Sequence, residues 1–572
     1  MTSFSIEDRP FDKASVALIR GLDRRYSDWP VVYTLNDDRD IYVGESLNFV
    51  QRMHQHLDSK SKRHLRRLRV VLDDEFNKSA SLDLESYLIR LLAGDGQFQV
   101  LNGNAGITDA AYYRRDVYRE TFAEIFDALR SEGVFTRSIH QIENDDLFKL
   151  SPFKALTSDQ AIAVEDILEG LFADLENRVT STIVVQGDPG TGKTILGVYL
   201  IKLLMDIAAT DLDEPADTDS MFGEYFVPET IELLSNLRIA LVVPQQSLRT
   251  SVKSVFGKTT RLAKNMVLSP FEVGARPERF DLLIVDETQR LTQRANQSAG
   301  PLNKKFREIN ERLFGNDDLE LTQLDWMVAQ SDHQIFLLDS DQAVRPADLP
   351  RRITVALAED ARTRHRHYPL VSQMRVRAGD DFVGYVRGIL GDDPPPPRDF
   401  EPYEFRMFDD IRALDAAIHK RDADFGLARM VAGYAWRWKS KKHPDAFDID
   451  IDGHSLRWNQ ADRDWISSPG SVDEVGSIHT VQGYDLNYAG VIIGPDLRFD
   501  VSTRRVVADL DHYFDAKGKE NNRARGIVYT PADIEKFIKN IYAVLLTRGM
   551  LGTYVYVVDP ALRDHLRDYV QG

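Results

Sequence analysis

The eight residues GDPGTGKT at 187–194 carry the most specific chemistry in the chain. They follow the apolar run STIVVQ and precede ILGVYLIKLLMDIA, so a strand, a glycine loop and a helix come in succession. In that context Gly187, Gly190 and Gly192 let backbone N–H groups turn inward around phosphate oxygens at the positive end of a helix. Asp188, Pro189 and Thr191 complete the loop. Lys193 would reach the β- and γ-phosphates of a nucleoside triphosphate, and the Thr194 hydroxyl would ligate magnesium. Hydrolysis also needs one carboxylate on the metal and a second to activate water. LLIVDETQRL supplies both: Asp286 ends an apolar strand as the metal ligand, and Glu287 follows as the candidate general base. The implied cofactors are ATP and Mg2+.

Whatever positions these groups must be a parallel sheet with crossover helices, and the chain is long enough for one. Its 572 residues allow three or four domains. Hydrophobic residues at 43% and charged residues at 28% suit a globular protein rather than a disordered one. No apolar run approaches the ~20 residues of a membrane span, and the N-terminus lacks a signal-peptide pattern, so a cytoplasmic location is expected. With no cysteine, disulfides, cysteine-ligated zinc and thiol catalysis are excluded.

The net charge of −18 argues against a partner that is nucleic acid only if charge is spread evenly. It is not. Acid collects in 206–232, where solvated insertions are expected. Base collects between Arg52 and Arg69, with seven Lys or Arg against the single acid Asp58, and again in RTRHRHYPLVSQMRVR at 362–377.

From Leu156 onward apolar strands alternate with amphipathic helices. Strands are expected at Thr182–Gln186, Ile239–Pro244, Leu282–Asp286 and Gln334–Asp339 in one sheet. A second sheet would hold Val475–His479, Gly490–Gly494 and Thr553–Val558. Before this region, WPVVYTL and DIYVGES read as two short strands. Leu65, Leu68, Val71 and Leu72 suggest a basic helix, a further helix covers Leu82–Leu92, and 111–150 reads as helical connector.

Residues 151–572 resemble a superfamily 1 helicase core, most closely the Schlafen group 3-type DNA/RNA helicase domain. LTSDQ at 156–160 is similar to the adenine-reading element, which makes Gln160 the reader. VVPQQSLRTSV at 242–252 is similar to the element that contacts a nucleic-acid backbone. LLDSDQAVRP at 337–346 implies Gln342 as the sensor of the γ-phosphate. LVSQMRVR and AVLLTRG imply Arg375 and Arg548 as second-lobe arginines, and EVGSIHTVQGYDL resembles the element that couples the ATP site to the strand.

Residues 30–104 resemble a GIY-YIG nuclease domain, on VVY at 31–33 and YVG at 42–44, with Val31 and Val32 departing from its first motif. The resemblance implies Tyr33, Tyr42, Arg52, His56 and Glu85 as site residues, with Asn102 and Asn104 following. Glu85 would hold Mg2+ or Mn2+, Arg52 would meet the scissile phosphate, and a tyrosine or His56 would handle the water proton. A helical wheel puts Asp83, Ser86 and Arg90 on one polar arc and Glu85 opposite, among Leu82, Ile89 and Leu92.

The expected fold is α/β, with a small α+β GIY-YIG-like domain at 1–110, a connector at 111–150, and two RecA-like parallel-sheet lobes at 151–350 and 351–572. The expected activity is that of an ATP-dependent nuclease–helicase on nucleic acid, DNA in preference to RNA. A nuclease joined to a motor would suit restriction of foreign DNA or processing of damaged DNA, with prokaryotic antiviral defence as the expected setting. Two alternatives stand beside it: a duplex translocase that does not separate strands, and a nucleotide-gated binding switch with a degenerate nuclease domain.

Overall fold

The computed structural model describes residues 4–19, 23–103, 112–154, 156–211, 222–294, 300–339, 345–371, 381–461, 465–468, 470–481 and 485–570. Two compact units divide the chain. One comprises residues 1–179, 195–237 and 251–267, and the other comprises 180–194, 238–250 and 268–572. Among the described residues no helix is long and apolar enough to cross a membrane.

The first unit is built on a five-stranded sheet in the order Phe4–Pro10, Arg67–Asp73, Val31–Asn36, Asp40–Ser46, Gln99–Val100. Residues 67–73, expected as helix, form a central strand, antiparallel to a neighbour on each side. The expectation failed because Leu68 and Leu72, four residues apart, fit both periods. Pairing decides: Leu68, Val70 and Leu72 enter one apolar cluster while Val71 enters the cluster on the opposite face. A strand covered on both faces reads as a continuous apolar run without clear alternation. Arg69 is buried there, its guanidinium donating to Glu132 at 2.9 Å and to Asn36 at 2.9 Å.

The segment expected as connector belongs to this core. In the helix Arg115–Ser131, Tyr118, Phe122, Ile125, Phe126 and Leu129 fall on one face. They pack with the helix Lys78–Asp95 over Val32, Ile41, Val43 and Val71. Along that longer helix the expected polar arc is broken. Ser86 is buried, Asp83 is held by Arg115 at 3.1 Å, and Glu85 is half-buried rather than enclosed. Asp206, expected in a solvated acidic insertion, is buried too. Lys202 and Arg261 both pair with it. Buried charges need such partners, because an unpaired carboxylate in an apolar site is costly.

The second unit holds two parallel sheets. The first runs His367–Leu370, Ser181–Gly187, Ser331–Leu338, Phe280–Val285, Ile239–Val242, Val267–Leu268. The strand His367–Leu370 lies beyond the boundary expected at 350, yet it pairs in parallel with Ser181–Gly187. The other sheet runs Glu404–Met407, Gly549–Val557, Leu486–Ile493, Ala428–Ala432, Glu474–Ser477, His454–Trp458, Ile449–Ile451, with an antiparallel final pair. The strand expected to reach His479 stops at Ser477, where a short helix Ile478–Val481 begins.

Just past the strand Leu486–Ile493, Asp496 is 1% exposed. One oxygen accepts from the Tyr542 hydroxyl; the other has no hydrogen-bond partner among the described residues. Burial pushes its pKa up to about 7. The folded state therefore holds a proton that the unfolded chain has lost, throughout the window from about 4 to 7. This contribution to stability is full below about pH 4 and is lost as pH rises through 7. Asp496→Asn, which keeps the acceptor for Tyr542, should flatten that slope. Denaturant melts at pH 5 and pH 8 should show the variant gaining on the wild type by a few kcal/mol at the higher pH, since each tenfold change in proton affinity is worth roughly 1.4 kcal/mol.

Candidate nucleotide site

Parallel strands bring their carboxyl ends to one edge of the sheet, where ligand sites of open α/β sheets lie. Leu338 pairs with Gln186, and Phe336 with Val285, so the residues at the ends of all three strands are neighbours: Gly187, Asp286 and Asp339. The loop turns at Gly190 (φ 89°) and Gly192 (φ 77°), conformations costly for any residue with a Cβ. The helix Lys193–Ala208 then starts.

Lys193 is buried and folded back on its own loop. Its Nζ donates to the carbonyls of Gly187 at 2.5 Å and Asp188 at 2.8 Å, and lies 3.9 Å from Asp339. The Thr194 hydroxyl donates to Asp286 Oδ2 at 2.7 Å. Burial and the adjacent Glu287 charge hold the Asp286 carboxyl well above the usual carboxylate range, although Thr194 and Lys193 pull it back. A hydroxyl and a carboxylate 2.7 Å apart at a phosphate loop fit the donor set for Mg2+, an oxygen-preferring cation that keeps several waters. A carboxyl strained toward protonation by burial gains from such a cation.

Glu287 sits in the left-handed region at φ 46°, uncommon and strained for a residue other than glycine. The turn takes it out of the sheet direction, and its Oε2 accepts from Gln289 Nε2 at 2.7 Å. The same amide's oxygen accepts from the Asp339 N–H at 3.1 Å. Gln289, 1% exposed, thus ties the candidate base to the end of the neighbouring strand. Nothing in the residue pattern points to that role beyond its place two residues after Glu287.

The remaining expected residues are placed unevenly. Gln342 and Arg375 lie outside the described residues, as do Asn104 and the Gln482-Gly483 pair. Gln160 caps its own helix: its side-chain oxygen accepts from Thr157 N at 3.1 Å, and the Thr157 hydroxyl accepts from Gln160 N. Arg548 is buried, 2% exposed, between the helix Pro531–Leu546 and the strand Gly549–Val557. Arg387 carries no sequence motif, yet from the helix Phe382–Ile389 it comes within 3.4 Å of Asp188 and 3.9 Å of Asp339.

A cavity of about 540 Å³ in the second unit is lined by Gln245, Gln246 and Arg249 of the first lobe and His479 and Asn521 of the second. Arg345 spans the gap, its Nη2 donating to His479 Nδ1 at 2.5 Å, while His479 Nε2 lies 3.4 Å from Asp515. Desolvation and Arg345 push the His479 pKa down to about 4. The imidazole is therefore neutral at physiological pH and can accept from the arginine.

In the first unit Tyr33, Tyr42 and His56 come together. Tyr33 Oη and His56 Nε2 are 2.8 Å apart, and the Tyr42 and His56 rings meet edge-on at 5.1 Å. Lys62 lies over the Tyr42 ring at 3.6 Å. The three are 0%, 2% and 2% exposed. Burial, then Lys62 and Arg52, push the His56 pKa down to about 2, which makes it a weak base. Glu85 is carried by the helix Lys78–Asp95, which packs on the other face of the sheet from this trio. Asn102 pairs through its side chain with both backbone groups of Val43, prolonging the sheet.

Two parallel sheets in tandem, with a glycine loop and an acidic strand end at the carboxyl edge of the first, define a helicase-type domain. The chain belongs to the Schlafen group 3 DNA/RNA helicase domain family, whose model matches residues 180–559. An uncharacterized protein of Saccharomyces cerevisiae is 27% identical over 420 residues, spanning 67% of this chain and 83% of that protein. A crystal structure of T. fusca Cas3-ATP aligns at 11% identity and a TM-score of 0.27, over 77% of this chain and 50% of that one. At that score the likeness carries no argument about fold or function.

Glu287→Gln keeps the volume and the contact with Gln289 but removes the base. The variant should bind ATP within about threefold of wild type and hydrolyse it at least ~100-fold more slowly, in line with the usual contribution of a general base. Equilibrium binding and single-turnover hydrolysis on the same preparation check both halves.

Proposed function

We propose that this chain is an ATP-hydrolysing motor on nucleic acid, DNA in preference to RNA. The observation that carries the reading is the Thr194–Asp286 pair at 2.7 Å beside a lysine held in a glycine loop, with Glu287 turned out at the same edge. Thr194 and Asp286 would hold Mg2+, which neutralises phosphate charge when bound. Lys193 exchanges its two carbonyl partners for phosphate oxygens. Glu287, kept in place by Gln289, takes the proton of the attacking water.

The cavity lined by Gln245, Gln246, Arg249 and His479 supports a nucleic-acid path: amides and basic groups suit a phosphate backbone without demanding a base sequence. Arg345, bonded to His479 across the lobes, gives lobe movement a direct effect on that path. Translocation without strand separation uses the same parts, and strand displacement on a tailed duplex distinguishes the two.

For the N-terminal unit we propose phosphodiester cleavage, with Glu85 on a divalent metal and Arg52 toward the phosphate. A second reading, binding without cleavage, is favoured by the burial of Tyr33, Tyr42 and His56 and by the packing of the Glu85 helix on the opposite face. The surface basic residues Arg63 and Arg66 would serve either role.

ATP hydrolysis should rise at least ~10-fold on adding single-stranded DNA and fall to background in Lys193→Ala, as expected of a motor whose lobes close around both ligands. A turnover that ignores every DNA and RNA tested would remove the motor reading. Separately, Glu85→Gln should abolish metal-dependent nicking of supercoiled plasmid while leaving ATP turnover and melting temperature at wild-type values. Wild-type protein that binds plasmid but never nicks it, in Mg2+ or Mn2+, leaves the binding module in place of the nuclease.

A further inference from the structure

We infer that the exposed second-lobe loop at 436–447 is an additional nucleic-acid contact, which holds a single strand beside the cavity at His479. This rests on the motor reading above and extends it to a surface outside that cavity.

The loop reads WRWKSKKHPDAF, which sets four cations, Arg437, Lys439, Lys441 and Lys442, against the single acid Asp445. All four are exposed. Exposed cations elsewhere in this acidic chain, such as Arg505 and Arg567, pair with Asp392 and Asp409. Among the described residues the four cations of the loop form no ion pair. Two of them meet rings instead: Arg437 lies over Phe514 at 5.5 Å, and Lys441 over Trp438 at 5.0 Å. The neighbouring Arg457 lies over Phe447 at 4.5 Å, and Phe447 is 47% exposed. Unpaired cations gathered on one loop of a chain with net charge −18 make a local positive field that an anionic partner relieves.

The base of the loop is held in place. Asp448, 4% exposed, accepts from Ser440 N at 2.8 Å and from Trp458 N at 2.9 Å. The Trp438 indole N–H donates to Ser440 Oγ at 3.0 Å. The loop follows the strand Ala428–Ala432, so it leaves the sheet at its carboxyl edge, beside the parallel strand Glu474–Ser477. Tyr434 joins the two: its hydroxyl donates to Ser477 Oγ at 3.3 Å, and its ring lies 5.4 Å from that of His479. The Tyr434 carbonyl accepts from Phe514 N at 2.7 Å, and Phe514 is the ring beneath Arg437. Since His479 and Lys517 line the cavity, the loop continues the cavity wall.

A single strand presents two surfaces at once, a row of phosphates and the faces of unstacked bases. Cations suit the first and aromatic rings the second. The loop offers both within a dozen residues. A duplex keeps its bases inside and would leave Phe447 unmatched, as would an acidic peptide. The single strand is the occupant that uses the whole surface.

The test uses the full chain, a fluorescent oligodeoxythymidine and three variants: the triple Lys439→Ala, Lys441→Ala, Lys442→Ala; Phe447→Ala; and the single Lys442→Ala. Affinity is measured across a salt titration. The triple variant should bind at least ~10-fold more weakly, with a slope of log affinity against log salt shallower by about 2, since each single-strand phosphate contact contributes roughly 0.7. Phe447→Ala should lose about tenfold in affinity at the wild-type slope, because stacking releases no counterion. Both should need more DNA for half-maximal ATP turnover while reaching the wild-type maximum. Melting temperatures at the wild-type value show that the variants fold. If the triple variant melts lower, Lys442→Ala carries the test, with a slope shallower by roughly 0.7. Wild-type affinity and slope in the triple variant would overturn the inference, as would wild-type DNA affinity in Phe447→Ala. Polyglutamate bound as tightly as the oligonucleotide would mark a site for acidic protein instead. Wild-type protein that binds no nucleic acid at all removes the motor reading itself. If DNA stimulates wild type and the triple variant at the same concentrations, the motor stands and this inference falls.

Discussion

The second unit depends on keeping a carboxylate, Asp286, almost out of water at the edge of a parallel sheet. Its charge is disfavoured by burial and by Glu287 next to it, and is tolerated through the Thr194 hydroxyl and the nearby Lys193. That balance is unfavourable for a protein at rest and favourable for one that must take up a divalent cation with a phosphate chain. Much of the surrounding arrangement follows from holding those few groups in register. Parallel pairing aligns the ends of three strands, two glycines allow the loop to turn, and Gln289 clamps Glu287 to the neighbouring strand end.

Among the described residues, polar contacts join the second lobe to the first. Arg387 reaches the loop, Arg345 reaches His479, Arg525 donates to Gln293 at 2.6 Å, and the Tyr529 hydroxyl donates to the Pro346 carbonyl at 2.8 Å. Interfaces made of such bonds exchange partners at low cost, because water or a ligand can replace each one. A tightly interdigitated apolar interface would resist that exchange.

The N-terminal unit is organised on a different principle. Its sheet is covered on both faces, with Tyr33, Tyr42 and His56 inside one layer and the helices Lys78–Asp95 and Arg115–Ser131 closing the other. Residue types that suggest phosphodiester chemistry are thus divided between a buried aromatic layer and the opposite face. Gly44 shows how close that layer is: a Cβ there would lie 2.4 Å from the Tyr33 hydroxyl oxygen. In this layer a glycine, two tyrosines and a histidine form a packing unit whatever else they do.

Local features were legible along the chain. A glycine loop between an apolar strand and a helix, and an Asp-Glu pair ending another strand, announce themselves because backbone geometry ties their function to adjacent residues. The alternation of strands and helices after Leu156 could be read for the same reason. Features that join residues far apart in the chain took shape only on folding. Arg67–Asp73 is a strand because two neighbours pair with it, and 115–131 is core because a sheet face needs covering. His367–Leu370 completes the first sheet of the second unit because Ser181–Gly187 had an open edge. Arg387 faces the loop from about 200 residues away, on a helix whose pattern is that of any amphipathic helix. Spacing along a chain records periodicity, but only folding sets which charges meet, since Coulomb attraction and desolvation act through space.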